Sequence, residues 1–267
     1  MKTFAKVLVV SAALFAMPAS AQELTEEQQL LATEFAINNS MFIMEHEIGH
    51  LLIGELELPV LGKEEDAADS LATLLMLEAN TTEMDQAIID AADGWWLTEQ
   101  DRGEEWENSD FYDEHSLDIQ RAYQVVCLAV GARPDDFKET AAEYEIDEER
   151  QERCGYDHQT AANAWSGLLE PHLKAEGQEG GAAEVIYESG GDDYGDIEQL
   201  LKDYEFLEGA AASVADTYVL PRDVTFKATL CDEENAWYSY DEGGVTFCYE
   251  MVALFFRLIE ENMLSST

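Results

Sequence analysis

The residues best suited to chemistry lie in one short stretch of the chain. It contains the pattern H-E-x-x-H at residues 46–50 and, after a turn, the pattern E-x-x-A-D at residues 65–69. On a helix, His46 and His50 lie one above the other on the same face, so two imidazoles can occupy adjacent corners of a zinc tetrahedron. Glu47 is rotated away from that face, where it can serve as general base towards a water held by the metal.

A second helix, expected to begin at about Glu64, can supply the third zinc ligand. The third ligand is Glu65, and Asp69 follows four residues later on the same face of this helix. There Asp69 can accept the second N–H of a ligating histidine and so fix the tautomer and orientation of the ring. Three protein ligands with one free glutamate have the composition of an open, catalytic zinc site.

The surroundings of the first motif favour a metal site over a chance match. Apolar residues flank the motif on both sides, from Phe42 to Met44 and from Leu51 to Ile53, which predicts a largely buried helix. A buried cluster of histidine and glutamate without a metal would be costly. H-E-x-x-H alone also occurs by chance on surface helices, and a structural, non-catalytic zinc site is the alternative interpretation.

With these motifs the chain resembles the gluzincin metallopeptidases, in which the two motif histidines and a downstream glutamate bind zinc. More closely, it resembles a family of metallopeptidases described as domain of unknown function 4344, over roughly Phe35 to Phe256. Trp237 stands where phenylalanine is expected, one aromatic residue for another. The resemblance implies peptide hydrolysis at a zinc ion held by His46, His50 and Glu65. The matching stretches are residues 46–50, 58–69, 115–121, 127, 153–154, 231, 235–238 and 248–250.

The oxyanion formed during peptide hydrolysis needs a further hydrogen-bond donor. His115 and Arg121 lie outside the main motif, are rich in donors and are the candidates for this catalytic role. Each has a plainer interpretation, because His115 stands at an expected helix start and Arg121 can simply pair with an acidic neighbour. His158 and His172 lie in no recognisable motif and are interpreted as surface or core residues.

Residues 1–21 have the form of a secretory signal peptide. A basic start with Lys2 and Lys6 precedes an apolar run and the cleavage site Ala19-Ser20-Ala21. The run is too short to cross a bilayer, which takes about 20 residues. We therefore predict a secreted or periplasmic bacterial protein, in which residues 22–267 form one zincin-like metallopeptidase domain.

Four cysteines suit an exported protein, because disulfides persist in oxidising compartments. Four cysteines allow three pairings. Cys231 and Cys248 flank an expected hairpin, and Cys127 and Cys154 flank a helix-loop-helix stretch, which favours these two bridges. A zinc site built from cysteines is disfavoured because the chain contains no C-x-x-C pair.

The charge of the chain is extreme, with 58 Asp and Glu against 14 Lys and Arg and a formal net charge of −44. Such a surface repels nucleic acid and anionic lipid, so neither is an expected partner. Adaptation to a saline environment is favoured as the explanation, because the acidity is spread along the whole chain. Selection of basic substrates is the alternative.

The overall pattern predicts an α+β protein that is predominantly helical, with a zincin-like metallopeptidase core. Thr25 starts the first helix with a capping box, and Asn38-Asn39-Ser40 indicates a break before the active-site helix. Apolar residues at 224–229, 236–240 and 245–249, with a glycine-containing turn, predict a small antiparallel sheet near the C-terminus.

The predicted hairpin carries the element Asn235-Ala236-Trp237-Tyr238. A similar Asn-Ala-aromatic element precedes H-E-x-x-H in many zincins, whereas here it follows the motif, which suggests a permuted order. We expect these strands to pack beside the active-site helix and to offer an edge to an extended peptide.

The leading functional hypothesis is an exported zinc-dependent metallopeptidase that binds one Zn²⁺ ion and acts on a peptide or protein substrate. One alternative is a non-proteolytic binding or chaperone-like module that retains the metal site. Another is a zinc hydrolase that acts on a non-peptide amide. Replacing Glu47 by glutamine separates the first two, because it should abolish turnover and leave zinc binding nearly intact.

Overall fold

A computed structural model describes residues 24–103 and 106–265 of the 267-residue chain. The predicted signal peptide, residues 1–21, lies outside the described residues. The described part is predominantly helical, as predicted, with one small sheet. The α-helices are α1 (Glu26–Glu55), α2 (Glu64–Ala79), α3 (Thr82–Arg102), α4 (Asp118–Ala132), α5 (Lys138–Glu143), α6 (Glu148–Leu169), α7 (Gly191–Asp203), α8 (Phe206–Thr217) and α9 (Tyr249–Ser265). The strands are β1 (Ala183–Tyr187), β2 (Val224–Thr229), β3 (Ala236–Ser239) and β4 (Gly244–Cys248).

Helix α1 is the central element of the fold. It begins at the predicted capping box, where the Thr25 hydroxyl accepts from the backbone N–H of Gln28 at 3.2 Å. Leu51 and Leu52 in its second half are fully buried. Because α1 packs against α2, α3, α9 and the edge strand β3, it carries residues 46–50 through the core.

The break predicted at Asn38-Asn39-Ser40 is wrong, because α1 continues through these residues. All three polar side chains are buried, yet they find partners without unwinding the helix. Ser40 donates to the carbonyl of Ala36, while Asn38 donates to the carboxylate of Asp90 on α3 at 2.6 Å. Asn39 donates to the backbone carbonyl of Asp90. The neighbouring helix thus satisfies side chains that, from the sequence alone, indicate a cap.

The sheet is mixed, so the predicted antiparallel sheet is wrong. The strand order is β1-β2-β4-β3, in which β1, β2 and β4 are parallel and β3 pairs antiparallel with β4. Strand β4 lies between β2 and β3, and every one of its residues is buried, as expected of a central strand. Strand β1 is short and half-buried.

Strand β3 lies at one edge of the sheet and packs against α1, which confirms the predicted placement of the hairpin. The Tyr238 hydroxyl donates to the carboxylate of Glu55, the last residue of α1, at 2.7 Å. Arg222 donates to the same carboxylate from Nε at 2.9 Å. Gly54 leaves room for this contact, since a Cβ there would lie 2.8 Å from the Tyr238 ring. These contacts hold the edge strand against the helix.

Replacing Glu55 by glutamine is expected to lower the free energy of unfolding by about 1–3 kcal/mol at neutral pH, because a buried charged acceptor is lost. Burial raises the pKa of Glu55, but hydrogen bonds from Arg222 and Tyr238 outweigh it, so the pKa lies below its ordinary value of 4.5. A lowered pKa contributes stability that is present above pH 4.5 and is lost as the pH falls through the folded-state value. Urea unfolding at neutral and acidic pH measures both effects.

The control for this experiment is Glu57→Gln, which makes the same change at an exposed carboxylate two positions further on. It should alter the free energy of unfolding by less than about 0.5 kcal/mol. Equal stability of the two variants at neutral pH, or a Glu55→Gln deficit that stays constant into acid, would contradict the assigned role of Glu55.

Both predicted disulfides are confirmed. Cys127–Cys154 joins α4 to α6 with an S–S distance of 2.10 Å, and Cys231–Cys248 joins the segment before β3 to the end of β4 with 2.03 Å. Two disulfides are consistent with an extracellular or periplasmic protein. Among the described residues, no helix is both long and apolar enough to cross a membrane.

Candidate metal centre

Helix α1 places His46, Glu47 and His50 in the wall of a cleft of about 640 Å³. The four-residue spacing puts the two imidazoles on one face of the helix, with their Nε2 atoms 3.1 Å apart. His46 and Glu47 are only 3% and 6% exposed, while His50 lies nearer to solvent. The cleft therefore reaches into a part of α1 that is otherwise core.

Helix α2 crosses α1 closely enough to bring Glu65 to the same point. Glu65 Oε2 lies 3.1 Å from His46 Nε2 and 3.3 Å from His50 Nε2. The close approach depends on Gly49, because a Cβ at this position would lie 3.1 Å from the Cα of Ala68 on α2. The glycine inside the H-E-x-x-H motif is thus a packing residue that sets how near Glu65 can come.

Replacing Gly49 by alanine is expected to cost about 1–2 kcal/mol of unfolding free energy, because the added methyl group pushes against the backbone of α2. The matched control is Gly167→Ala, also inside a helix, where an added Cβ would meet nothing within 4 Å. That control should gain about 0.5–1 kcal/mol from the better helix propensity of alanine. Urea unfolding checks both, and a Gly49→Ala variant that gains stability like the control would contradict the packing role.

The outer nitrogens of both imidazoles are already occupied. His46 Nδ1 lies 2.7 Å from Asp69 Oδ1, and His50 Nδ1 lies 2.9 Å from Glu64 Oε1. A neutral imidazole has one N–H, and these carboxylates favour it on Nδ1. Both Nε2 lone pairs then face each other and the oxygen of Glu65, an arrangement of three acceptors that calls for a cation between them.

The spacing of these three acceptor atoms fits a metal ion. Ligands at about 2.0–2.1 Å from a tetrahedral ion lie about 3.3–3.4 Å from one another. The observed separations among His46 Nε2, His50 Nε2 and Glu65 Oε2 are 3.1, 3.1 and 3.3 Å. The residues present therefore match a three-ligand metal site in both composition and distance.

The electrostatics of the cluster also favour positive charge. Burial lowers the pKa of His46, but hydrogen bonds with Asp69 and Glu65 raise it by more, to about 9. Burial lowers the pKa of His50, but hydrogen bonds with Glu65 and Glu64 and the charge of Glu47 together raise it by more. Burial raises the pKa of Glu65, but hydrogen bonds with His115, His46 and His50 bring it well below its usual range. The carboxylates around the imidazoles thus stabilise positive charge at this point, carried either by protonated imidazoles or by a metal ion between neutral ones.

Glu47 lies beside the imidazoles but contributes no atom to the cluster of three acceptors. Burial raises the pKa of its carboxyl group, while the positive charge of His46 and His50 and a hydrogen bond from the Tyr238 backbone lower it, and the net change is upward. A raised pKa brings a carboxylate closer to the operating pH of a general base. The hydrogen bond from the Tyr238 backbone also means that β3 contacts this glutamate directly.

Asp69 is fully buried behind His46, where Arg121 compensates its charge. Arg121 donates from Nε to Asp69 Oδ2 at 2.6 Å and from Nη2 to Oδ1 at 2.7 Å. The guanidinium also stacks on Trp95 of α3, with Cζ 3.5 Å from the ring centroid. The candidate oxyanion donor Arg121 thus lies on the far side of Asp69 from the cleft, and it does not line the cleft.

His115 lies at the cleft, in the segment before α4. Its Nε2 is 3.0 Å from Glu65 Oε2, and its ring is half exposed. Lys63 Nζ donates to the backbone carbonyl of His115 at 2.8 Å, which ties this segment to the start of α2. Of the two candidate oxyanion donors, the structure brings His115 to the cleft.

Three residues that contribute to the site have no role assigned to them by the sequence alone. Glu64 takes the Nδ1 side of His50, Lys63 holds the His115 segment, and Trp95 supports Arg121. The adjacency of Glu64 to Glu65 at the start of a helix is the one signal that points to it. Lys63 and Trp95 act across separate elements, so no local pattern reveals them.

A second group with metal-ligand composition lies at Cys231, Cys248 and Glu250. Its two sulfurs form a disulfide and are not available as thiolates. Glu250 instead accepts the backbone N–H groups of Cys231 and Asp232. Within the described ranges, the cluster on α1 and α2 is therefore the candidate metal centre.

Two histidines and a glutamate that converge in the wall of a cleft, with a further buried glutamate beside them, define a candidate metal-dependent hydrolase. The chain belongs to the DUF4344 family, described as "Putative metallopeptidase", whose model matches residues 6–169 and 187–267. The family implies a metal ion and a peptide substrate, and the cluster on α1 and α2 offers such an ion its ligands. No match was found among curated proteins or among solved structures.

Proposed function

We propose that this protein is an exported zinc-dependent peptidase, whose ion is held by His46, His50 and Glu65. The observation that carries the proposal is the convergence of three acceptor atoms at 3.1–3.3 Å from one another. Nitrogen and oxygen ligands in this number suit zinc, with a coordination position left for water. The family supports proteolysis rather than a purely structural metal.

When bound, zinc would supply a Lewis acid that acidifies water and polarises the substrate carbonyl. The chain's own contribution to proton transfer is Glu47, whose carboxylate stands in the cleft beside the ligands. We assign to Glu47 the removal of the proton from the attacking water and its delivery to the leaving amine. Its burial keeps bulk water from competing for that proton.

We assign the oxyanion-stabilising donor to His115. Its imidazole faces the cleft and is within 3.0 Å of Glu65 through Nε2, so it lies close to the proposed ion. Arg121 commits Nε and Nη2 to Asp69 and is only 6% exposed, so it is poorly placed to meet a substrate.

The substrate is proposed to lie along β3. At the two ends of the β3–β4 hairpin, the N–H of Cys248 donates to the carbonyl of Asn235 and the N–H of Gly243 donates to the carbonyl of Ser239. The backbone groups of every second residue of β3 therefore point towards β4. The backbone of Tyr238, at an intervening position, faces the other way, towards Glu47. An extended peptide that adds to this outer edge of the sheet would pass over the metal centre.

The first test is zinc-dependent cleavage. The protein is stripped with a chelator, reconstituted with zinc, and given a mixed peptide library that is read by mass spectrometry. Cuts that vanish on stripping and return with zinc support the proposal. A protein that binds zinc tightly and cuts no peptide would instead favour a binding module or a hydrolase of a non-peptide amide.

Export rests on the signal-like residues 1–21 together with the two disulfides. Expression of the full chain in a bacterium, followed by fractionation and mass spectrometry of the N-terminus, tests it. A periplasmic or secreted protein that starts at Gln22 supports export, and an uncut cytoplasmic protein contradicts it.

A further inference from the structure

Arg121, Asp69 and His46 form a continuous line of hydrogen bonds that leads to the candidate metal centre. Arg121 binds both oxygens of Asp69 at 2.6 and 2.7 Å, and Asp69 Oδ1 lies 2.7 Å from His46 Nδ1. The three side chains come from α4, α2 and α1 and are 6%, 1% and 3% exposed. Three separate helices therefore meet at one buried chain of polar groups, whose far end is His46 Nε2.

The guanidinium at the start of this line is held in a fixed orientation. Arg121 Cζ lies 3.5 Å from the centroid of the Trp95 ring, so the planar group stacks on the indole. Trp95 in turn meets Phe42 of α1 edge-on, with ring centroids 6.4 Å apart. Because the guanidinium is planar and donates to Asp69 from both Nε and Nη2, its position dictates the position of both carboxylate oxygens.

We propose that Arg121 is a positioning residue that sets the zinc affinity of His46 through Asp69, an inference that rests on the proposed function. A carboxylate that accepts the Nδ1–H of a ligating histidine orients the ring and strengthens Nε2 as a ligand. Asp69 can do this only as a buried anion, which is costly without a cation. Arg121 supplies that cation and aims the accepting oxygen at His46.

The alternative is that the Arg121–Asp69 pair merely joins α4 to α2. The chain contains a matched control for this alternative in Arg133 and Asp85. Arg133 also binds a carboxylate through two nitrogens and lies over an aromatic ring, that of Phe137, at 5.2 Å. This pair joins α3 to the residue after α4, but neither partner contacts a histidine of the metal centre.

The test is a double-mutant cycle on zinc affinity, measured by competition with a chromophoric chelator. Arg121→Gln and Asp69→Asn should each weaken binding about 10–100-fold. The double variant should bind no more weakly than the weaker single variant, since Arg121 acts through Asp69 and has no further route to the ion. Arg121→Lys, which keeps the charge without the fork, should fall between wild type and Arg121→Gln.

The control Arg133→Gln should keep the zinc affinity within about twofold of wild type, whatever it does to stability. Arg121→Lys carries the test alone if Arg121→Gln fails to fold, as judged by circular dichroism. Wild-type zinc affinity in Arg121→Lys, or losses that simply add in the double variant, would overturn the positioning role of Arg121 but would not contradict the zinc site itself. A wild-type protein that binds no zinc would contradict the proposed function and, with it, the positioning role of Arg121.

Discussion

Replacing Glu47 by glutamine will lower kcat/KM for peptide hydrolysis by about 10²–10⁴-fold and leave the zinc content of the protein unchanged. Glutamine keeps the size of the side chain but cannot take a proton from water. The three proposed ligand atoms belong to other residues, so the ion should bind as before. The measurements are initial rates on the best library peptide and metal content by mass spectrometry.

The control is Glu34→Gln, which makes the same change on the same helix at an exposed position. Its rate should match that of the wild type. A Glu47→Gln variant that retains most of its activity would show that proton transfer uses another group. A variant that loses zinc would show that Glu47 is a ligand rather than a base.

Glu47→Gln also separates the peptidase from the binding-module interpretation. If the wild type and the variant both bind zinc and neither cuts a peptide, the result favours the binding module over the peptidase. A non-peptide amide substrate would then be sought with the same pair of proteins, because Glu47 should again distinguish them.

Replacing His50 by alanine will weaken zinc binding by roughly 10³-fold, because the ion loses one of its three proposed protein ligands. If zinc binding is worth about 12 kcal/mol and three ligands share it, one ligand contributes roughly 4 kcal/mol, or close to three orders of magnitude. The thermal stabilisation that zinc gives the wild type should disappear at zinc concentrations that saturate the wild type but lie far below the weakened Kd. Chelator competition and thermal unfolding with and without zinc measure the two effects.

His172→Ala is the matched control for this loss. His172 lies in the short turn after α6 and belongs to no candidate ligand group among the described residues. Its replacement should leave both zinc affinity and zinc-dependent stabilisation intact. Equal zinc affinity of His50→Ala and wild type would remove His50 from the site and with it the three-ligand centre.

Much of the candidate site could be predicted because its signals are local. His46 and His50 share a face of α1 through the period of the helix alone, and Glu65 and Asp69 share a face of α2 in the same way. The disulfide pairing followed from which cysteines flank the same pair of elements. The helix inferences need only a few neighbouring residues and the geometry of one element, and the disulfide pairing needs only the order of elements along the chain.

The errors fall where distant parts of the chain decide the outcome. Asn38-Asn39-Ser40 resembles a helix cap, yet Asp90 on another helix satisfies the two asparagines, so α1 continues. Pairing in the sheet joins β2 to β4 past the intervening β3, which no pattern within a strand reveals. The antiparallel hairpin of β3 and β4 was predictable because its strands are adjacent in sequence.

The sequence by itself determined which residues each helix presents together, because helix periodicity is a property of the backbone. Only the tertiary structure decided how near the two helices lie, through the missing side chain of Gly49 against Ala68. It also decided that His115 reaches the cleft and that Arg121 lies behind Asp69. These placements depend on packing between elements that are far apart in the chain, and packing is a collective property of the folded protein rather than of any segment.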